Sequence, residues 1–70
     1  MAKRIALISA RLEKGWSQKE TAEKLGLNSP KTYSHWETGR TKNPPPKGMV
    51  AAEKVFGRPK EELFPDVFGY

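Results

Sequence analysis

The chain has 70 residues, enough for one small domain, and it offers no cysteine and a single histidine for a disulfide or a metal site, so dense helix packing has to hold it together. Thirteen basic against eight acidic residues leave it at +5. That charge suits a polyanion partner, since each Lys or Arg set on a phosphate releases counterions, and it equally suits plain solubility. The longest strictly apolar run, Ile5-Ala6-Leu7-Ile8, falls short of the ~20 residues of a membrane span and the ~7–15 of a signal-peptide core, so a cytoplasmic protein with no membrane partner is expected.

Residues 3–14 predict a first helix, free of proline and glycine until Gly15, with Leu7 and Arg11 at i,i+4 and Ile5, Ile8 and Leu12 along a broad apolar face. Ser17-Gln18-Lys19-Glu20 is a capping box and starts a second helix, 17–25, with Trp16 just before it, Thr21, Ala22 and Leu25 on its inner stripe, and Gly26 stopping it. After Leu27-Asn28, Ser29 is an N-cap and Pro30 a first-turn proline, which opens a third helix over 30–38 that Gly39 ends. Two helices joined by a short glycine-containing turn are a helix-turn-helix arrangement. Arg40 to Pro46 is a loop with a stiff triple proline. A fourth helix, 47–56, carries Met49, Ala52 and Phe56 inward, and a fifth spans 59–64. Pro65 ends it and leaves an apolar tail, 65–70, whose Phe68 and Tyr70 fold back on the core or form a dimer contact.

The positive charge is uneven. Residues 1–48 hold the whole excess, and its densest part is 31–47, where Lys31, Arg40, Lys42 and Lys47 face a lone acid, Glu37. On a helical wheel Tyr33, Trp36 and Glu37 share the inner side of the third helix. Lys31, Ser34, His35 and Thr38 fall on the other side, a polar stripe without a carboxylate that suits the major groove of duplex DNA. His35 has no companions for a metal site or a general base, so it is a base or phosphate contact or a solvated residue. Trp16 and Trp36 read as core residues rather than stacking platforms for bases. Lys42 and Lys47, in the loop after the third helix, are placed for phosphates.

The stretch Arg11-Leu12-Glu13-Lys14-Gly15-Trp16-Ser17-Gln18-Lys19-Glu20-Thr21-Ala22-Glu23-Lys24-Leu25-Gly26, followed by Tyr33-Ser34-His35-Trp36-Glu37-Thr38-Gly39-Arg40, resembles the phage-repressor type of helix-turn-helix domain, the Cro/Xre-like, lambda-repressor-like DNA-binding family. Weaker similarity runs on through Ala52, Phe56-Gly57 and Leu63-Phe64. The resemblance implies an all-α bundle of five short helices, and a transcriptional regulator that binds a palindromic operator on double-stranded DNA as a homodimer. It implies base contacts from Ser29, Pro30, Lys31, Ser34 and His35. It implies phosphate contacts from Gln18, at the start of the second helix, and from the loop residues Arg40, Lys42 and Asn43; Ser17, Thr38 and Lys47, beside them, are expected to hold phosphates as well. It also pairs Arg11 with Glu37 as an ion pair tying the first helix to the third. Two features depart from the family pattern: the turn after Gly26 is one residue longer, and Pro30 stands where relatives often carry a polar base reader.

The expected protein is therefore one helix-turn-helix DNA-binding domain over residues 1–70, a repressor that acts by occupancy. No enzyme activity, cofactor or small-molecule ligand is implied, because nothing resembles a phosphate-cradling glycine loop or a carboxylate pair in a chain large enough to enclose a substrate. The rival is a protein-interaction module, an antitoxin or anti-repressor whose tail carries the interface.

Overall fold

The computed structural model describes residues 3–68. They form six helices: α1 (Ile5–Lys14), α2 (Gln18–Lys24), α3 (Pro30–Thr38), α4 (Pro46–Phe56), α5 (Lys60–Leu63) and α6 (Pro65–Phe68). The architecture is all-α, with no strand among the described residues.

The helix boundaries follow local chemistry. Ser17 Oγ accepts from the Glu20 amide at 3.0 Å while the Glu20 carboxylate accepts from the Ser17 amide at 2.9 Å, so the capping box is closed on both sides. At the other end of α2, Gly26 takes φ 74°, a left-handed conformation that an L side chain resists. This lets the Leu27 amide reach the Ala22 carbonyl at 2.9 Å and the Gly26 amide reach that of Glu23 at 3.1 Å, a Schellman closure that turns the chain toward α3.

The core is built from Leu7 and Ala10 of α1, Ala22 and Leu25 at α2, Tyr33 and Trp36 of α3, Met49, Ala52 and Phe56 of α4, and Leu63 and Phe64. Phe64 meets Trp36 edge-on, with ring centroids 5.9 Å apart. Trp16 packs on Phe56 at 6.0 Å. Gly48 sits where α4 crosses Trp36 so closely that an added Cβ would lie 2.6 Å from the indole Cη2.

Three expectations need correction, and one open point is decided. First, α1 starts at Ile5, not residue 3, because Arg4 is drawn away into the interior. Second, the sequence leaves open which edge of the broad α1 face is buried; it is the narrower Leu7–Ala10 edge, and Ile5 and Leu12 are 63% and 61% exposed. Third, α4 begins one residue early, because Pro46 occupies a first-turn position whose amide has no helical partner in any case. Fourth, Pro65 both ends α5 and opens α6, so the tail has a helical turn of its own. Val67 and Phe68 pack against the core; Tyr70 lies outside the described residues.

Candidate nucleic-acid interface

The local chemistry of α3 fixes which side it offers. Ser29 caps its start, accepting from the Thr32 amide at 3.4 Å, and Pro30 presets the first turn. Burial of Tyr33, Trp36 and Glu37 then leaves Lys31, Ser34, His35 and Thr38 as a stripe at i,i+3,i+4,i+7 on the other side. Pro30 and Lys31 are exposed, while Ser29, Ser34, His35 and Thr38 are half-buried. Two of these hydroxyls are partly committed: Thr38 Oγ1 donates to its own helix at the His35 carbonyl, 3.3 Å, and Ser29 Oγ lies 3.3 Å from Thr32 Oγ1.

Glu37 is the polar hub behind the stripe. It is 3% exposed. Arg11 Nε donates to its Oε2 at 2.6 Å, Arg11 Nη2 reaches its Oε1 at 3.5 Å, and Gln18 Nε2 donates to Oε1 at 2.9 Å. One carboxylate thus ties α1, α2 and α3 together. The hydrogen bond that Arg11 donates to Glu37 raises its guanidinium further above its already high range. Burial, with the Glu37 carboxylate beside it, pushes the Tyr33 phenol far up, and its hydroxyl has no hydrogen-bond partner among the described residues. Gln18 spends one amide hydrogen inward, on the Glu37 carboxylate.

The loop after α3 folds back on it. The Thr41 amide donates to the His35 carbonyl at 3.2 Å. Arg4, which sequence reasoning passed over, reaches in from before α1: Nη1 donates to the Trp36 carbonyl at 2.6 Å, and Nη2 to the carbonyls of Thr41 and Lys42 at 2.8 and 3.1 Å. Its fork also meets Asp66, with Nε and Nη2 each 2.9 Å from a carboxylate oxygen. No sequence signal marks Arg4, which precedes α1 and finds its partners 32 to 62 positions away. Arg40, Lys42, Asn43 and Lys47 are all exposed along this loop and the first turn of α4. Buried Pro44 anchors the loop between them.

A helix-turn-helix family model matches residues 7–63, most of the chain. The chain belongs to the helix-turn-helix family. No curated protein and no solved structure matches it. The family is DNA-binding and regulatory rather than enzymatic, and the fold is the all-α, lambda-repressor-like one. The chain is accordingly a DNA-binding helix-turn-helix regulator.

Within this helix-turn-helix, α2 is the first helix, Leu25–Ser29 the turn and α3 the second helix. The Gln18–Glu37 bond fixes the start of α2 beside the far end of α3. The α2–α3 turn lies against the start of α4, where Leu25, Gly26, Leu27, Pro45, Lys47 and Gly48 line a shared groove. The expected base-contact residues thus occupy one helix and its cap, and the basic loop and Lys47 flank them. Ser17 Oγ is engaged in the α2 cap, accepting from the Glu20 amide. No helix among the described residues is long and apolar enough to cross a membrane, and no cluster of metal-ligating side chains is present among them.

Proposed function

We propose that this regulator is a repressor that reads a palindromic operator as a homodimer inside the cell, with α3 in the major groove. The carrying observation is the stripe Lys31, Ser34, His35 and Thr38, which turns no carboxylate outward and is followed by exposed Arg40, Lys42, Asn43 and Lys47. The acid on α3, Glu37, is buried and paired, so it does not repel phosphate. Lys31 donates to guanine O6 or N7, and Ser34 and His35 bond base edges. Pro30 and Ser29 meet the base at the front of the helix, the proline ring packing on a thymine methyl. Ser17, Gln18, Thr38, Arg40, Lys42, Asn43 and Lys47 hold phosphates and set the register. Residues 1–70 act as one DNA-binding domain, and occupancy of the operator blocks polymerase.

Selection of bound sequences from a random duplex pool tests this directly. The expected product is an inverted repeat with half-sites about one helical turn, roughly 34 Å, apart. In titrations on the selected duplex and a scrambled one, Lys31→Ala and His35→Ala lower the preference between the two. Lys42→Ala weakens both alike and lowers the salt slope by about one. A pool that yields no motif, or α3 variants with unchanged preference, removes the reading role from α3.

A further inference from the structure

We propose that Arg4 and Asp66 form a clasp that holds the Thr41–Lys42 loop in its phosphate-gripping shape, so that the segment after α5 takes part in DNA binding without touching DNA. This rests on the DNA reading above. Three of the last four carbonyls of α3 are taken: His35 by the Thr41 amide, Trp36 by Arg4 Nη1, and Glu37 by the Arg4 amide at 2.8 Å. A single residue thus supplies a backbone donor and a cation to the negative end of the α3 dipole. The same guanidinium holds the carbonyls of Thr41 and Lys42, the backbone from which the Lys42 side chain projects. Arg4 is 2% exposed, and its guanidinium carbon lies 5.5 Å from the centre of the Phe64 ring. It has one carboxylate partner, Asp66, whose side chain is 45% exposed.

The asymmetry gives the device its character. A guanidinium buried this deeply is costly without a counter-charge. Loss of the Asp66 charge therefore draws Arg4 outward to water and off the loop carbonyls. Asp66 lies in the first turn of α6, next to Val67 and Phe68, which pack on the core. Displacement of α6 would accordingly loosen the DNA grip at a distance.

Asp66→Asn is a sharp test, because simple charge counting predicts the opposite sign. The substitution removes a negative charge, so bulk electrostatics tightens binding to any duplex. The clasp predicts weaker binding, by about threefold or more, and a shallower salt slope by about one phosphate contact. The full chain is titrated with a mixed-sequence duplex over a series of salt concentrations, beside wild type and Arg4→Lys. Arg4→Lys keeps the charge but lacks the fork, and it is expected to show the same loss. Amide exchange supplies a second readout: the Thr41 amide exchanges faster in Asp66→Asn, while the Leu25 amide, bonded inside the α2 end, does not change. If Arg4→Lys fails to fold, Asp66→Asn decides alone, since its site is at the surface. Binding equal to or tighter than wild type with an unchanged slope, or an unchanged Thr41 amide, overturns the clasp. A wild-type chain with no salt-dependent affinity overturns the DNA reading instead, and the clasp's role with it.

Discussion

Removing Arg11 strips the buried Glu37 carboxylate of its charged partner. Arg11→Met keeps much of the side-chain volume but leaves the Glu37 carboxylate, 3% exposed, with the Gln18 amide as its remaining donor. Stripping one partner from a buried pair costs about 3–5 kcal/mol, because the survivor stays charged and out of water. A core of this size supplies about the same ~3–5 kcal/mol. The variant is therefore expected to be at or beyond its unfolding midpoint in buffer at room temperature. Glu37→Met is milder, about 1–3 kcal/mol. Its orphaned arginine is half-buried and keeps the Trp16 carbonyl at 2.8 Å. The double substitution removes both charges, and apolar replacement of a buried pair is often neutral. It is expected within about 1 kcal/mol of wild type. The coupling is then at least about 3 kcal/mol, and about 6 kcal/mol at the middle of these ranges, above what most contacting residues show.

Urea titrations followed by circular dichroism measure this cycle. Sucrose, which favours the compact state, brings Arg11→Met into the folded range, and a sucrose series extrapolates each variant to plain buffer. Costs that simply add, with coupling below about 0.5 kcal/mol, would refute the reasoning, since the pair would then be two independent surface charges.

Gly48→Ala is expected to destabilise by about 1–3 kcal/mol despite the better helix former, because the new Cβ would lie 2.6 Å from a Trp36 ring wedged between Tyr33 and Phe64; a thermal melt reads it. Tyr33→Phe removes an unpartnered buried hydroxyl, so it is expected to be neutral or stabilising by up to about 1 kcal/mol. Its folded-state proton is held more tightly than in the unfolded chain, so wild type loses stability relative to Tyr33→Phe as pH rises past about 10, by about 1.4 kcal/mol per pH unit; urea midpoints at alkaline pH check the sign. The Ser17 amide holds the Glu20 carboxyl below the usual carboxylate range, so its contribution is present above that range and fades as pH falls through the lowered value. Acid melts of Glu20→Gln should lack this part of the decline. Ser17→Ala should cost about 1 kcal/mol at neutral pH.

The features legible in the sequence are those whose physics is local. Ser17 and Glu20 close a cap three residues apart, Ser29 and Pro30 start a helix side by side, and the inward turn of Glu37 follows from its angle to Tyr33 and Trp36. Arg4 was not legible, because its meaning depends on Asp66, 62 positions away, and on carbonyls that face it only after α3 has formed. Read by itself it is one more surface cation. The exposure of Ile5 and Leu12 was hidden for a related reason: a broad apolar face does not say which edge a small core has room to cover. These misses bear on the site as well as the fold, because the +5 count treats every cation as available to a polyanion. Three of the four arginines, Arg4, Arg11 and Arg58, are engaged in ion pairs with Asp66, Glu37, and Glu13 and Glu62. Arginine suits that work, since its planar fork grips a carboxylate and several carbonyls at once. The exposed cations of the face are mostly lysines, Lys31, Lys42 and Lys47, with Arg40 in the loop. Lysine is a hydrated point charge that holds phosphate without dictating geometry. The outward stripe of α3 thus lacks the bidentate guanine-reading arginine that is the commonest specific contact. On the proposed DNA reading, discrimination between duplexes falls to Lys31, Ser34, His35 and the cap at Ser29, and to how readily each duplex adopts the shape that a lysine-rimmed loop can grip.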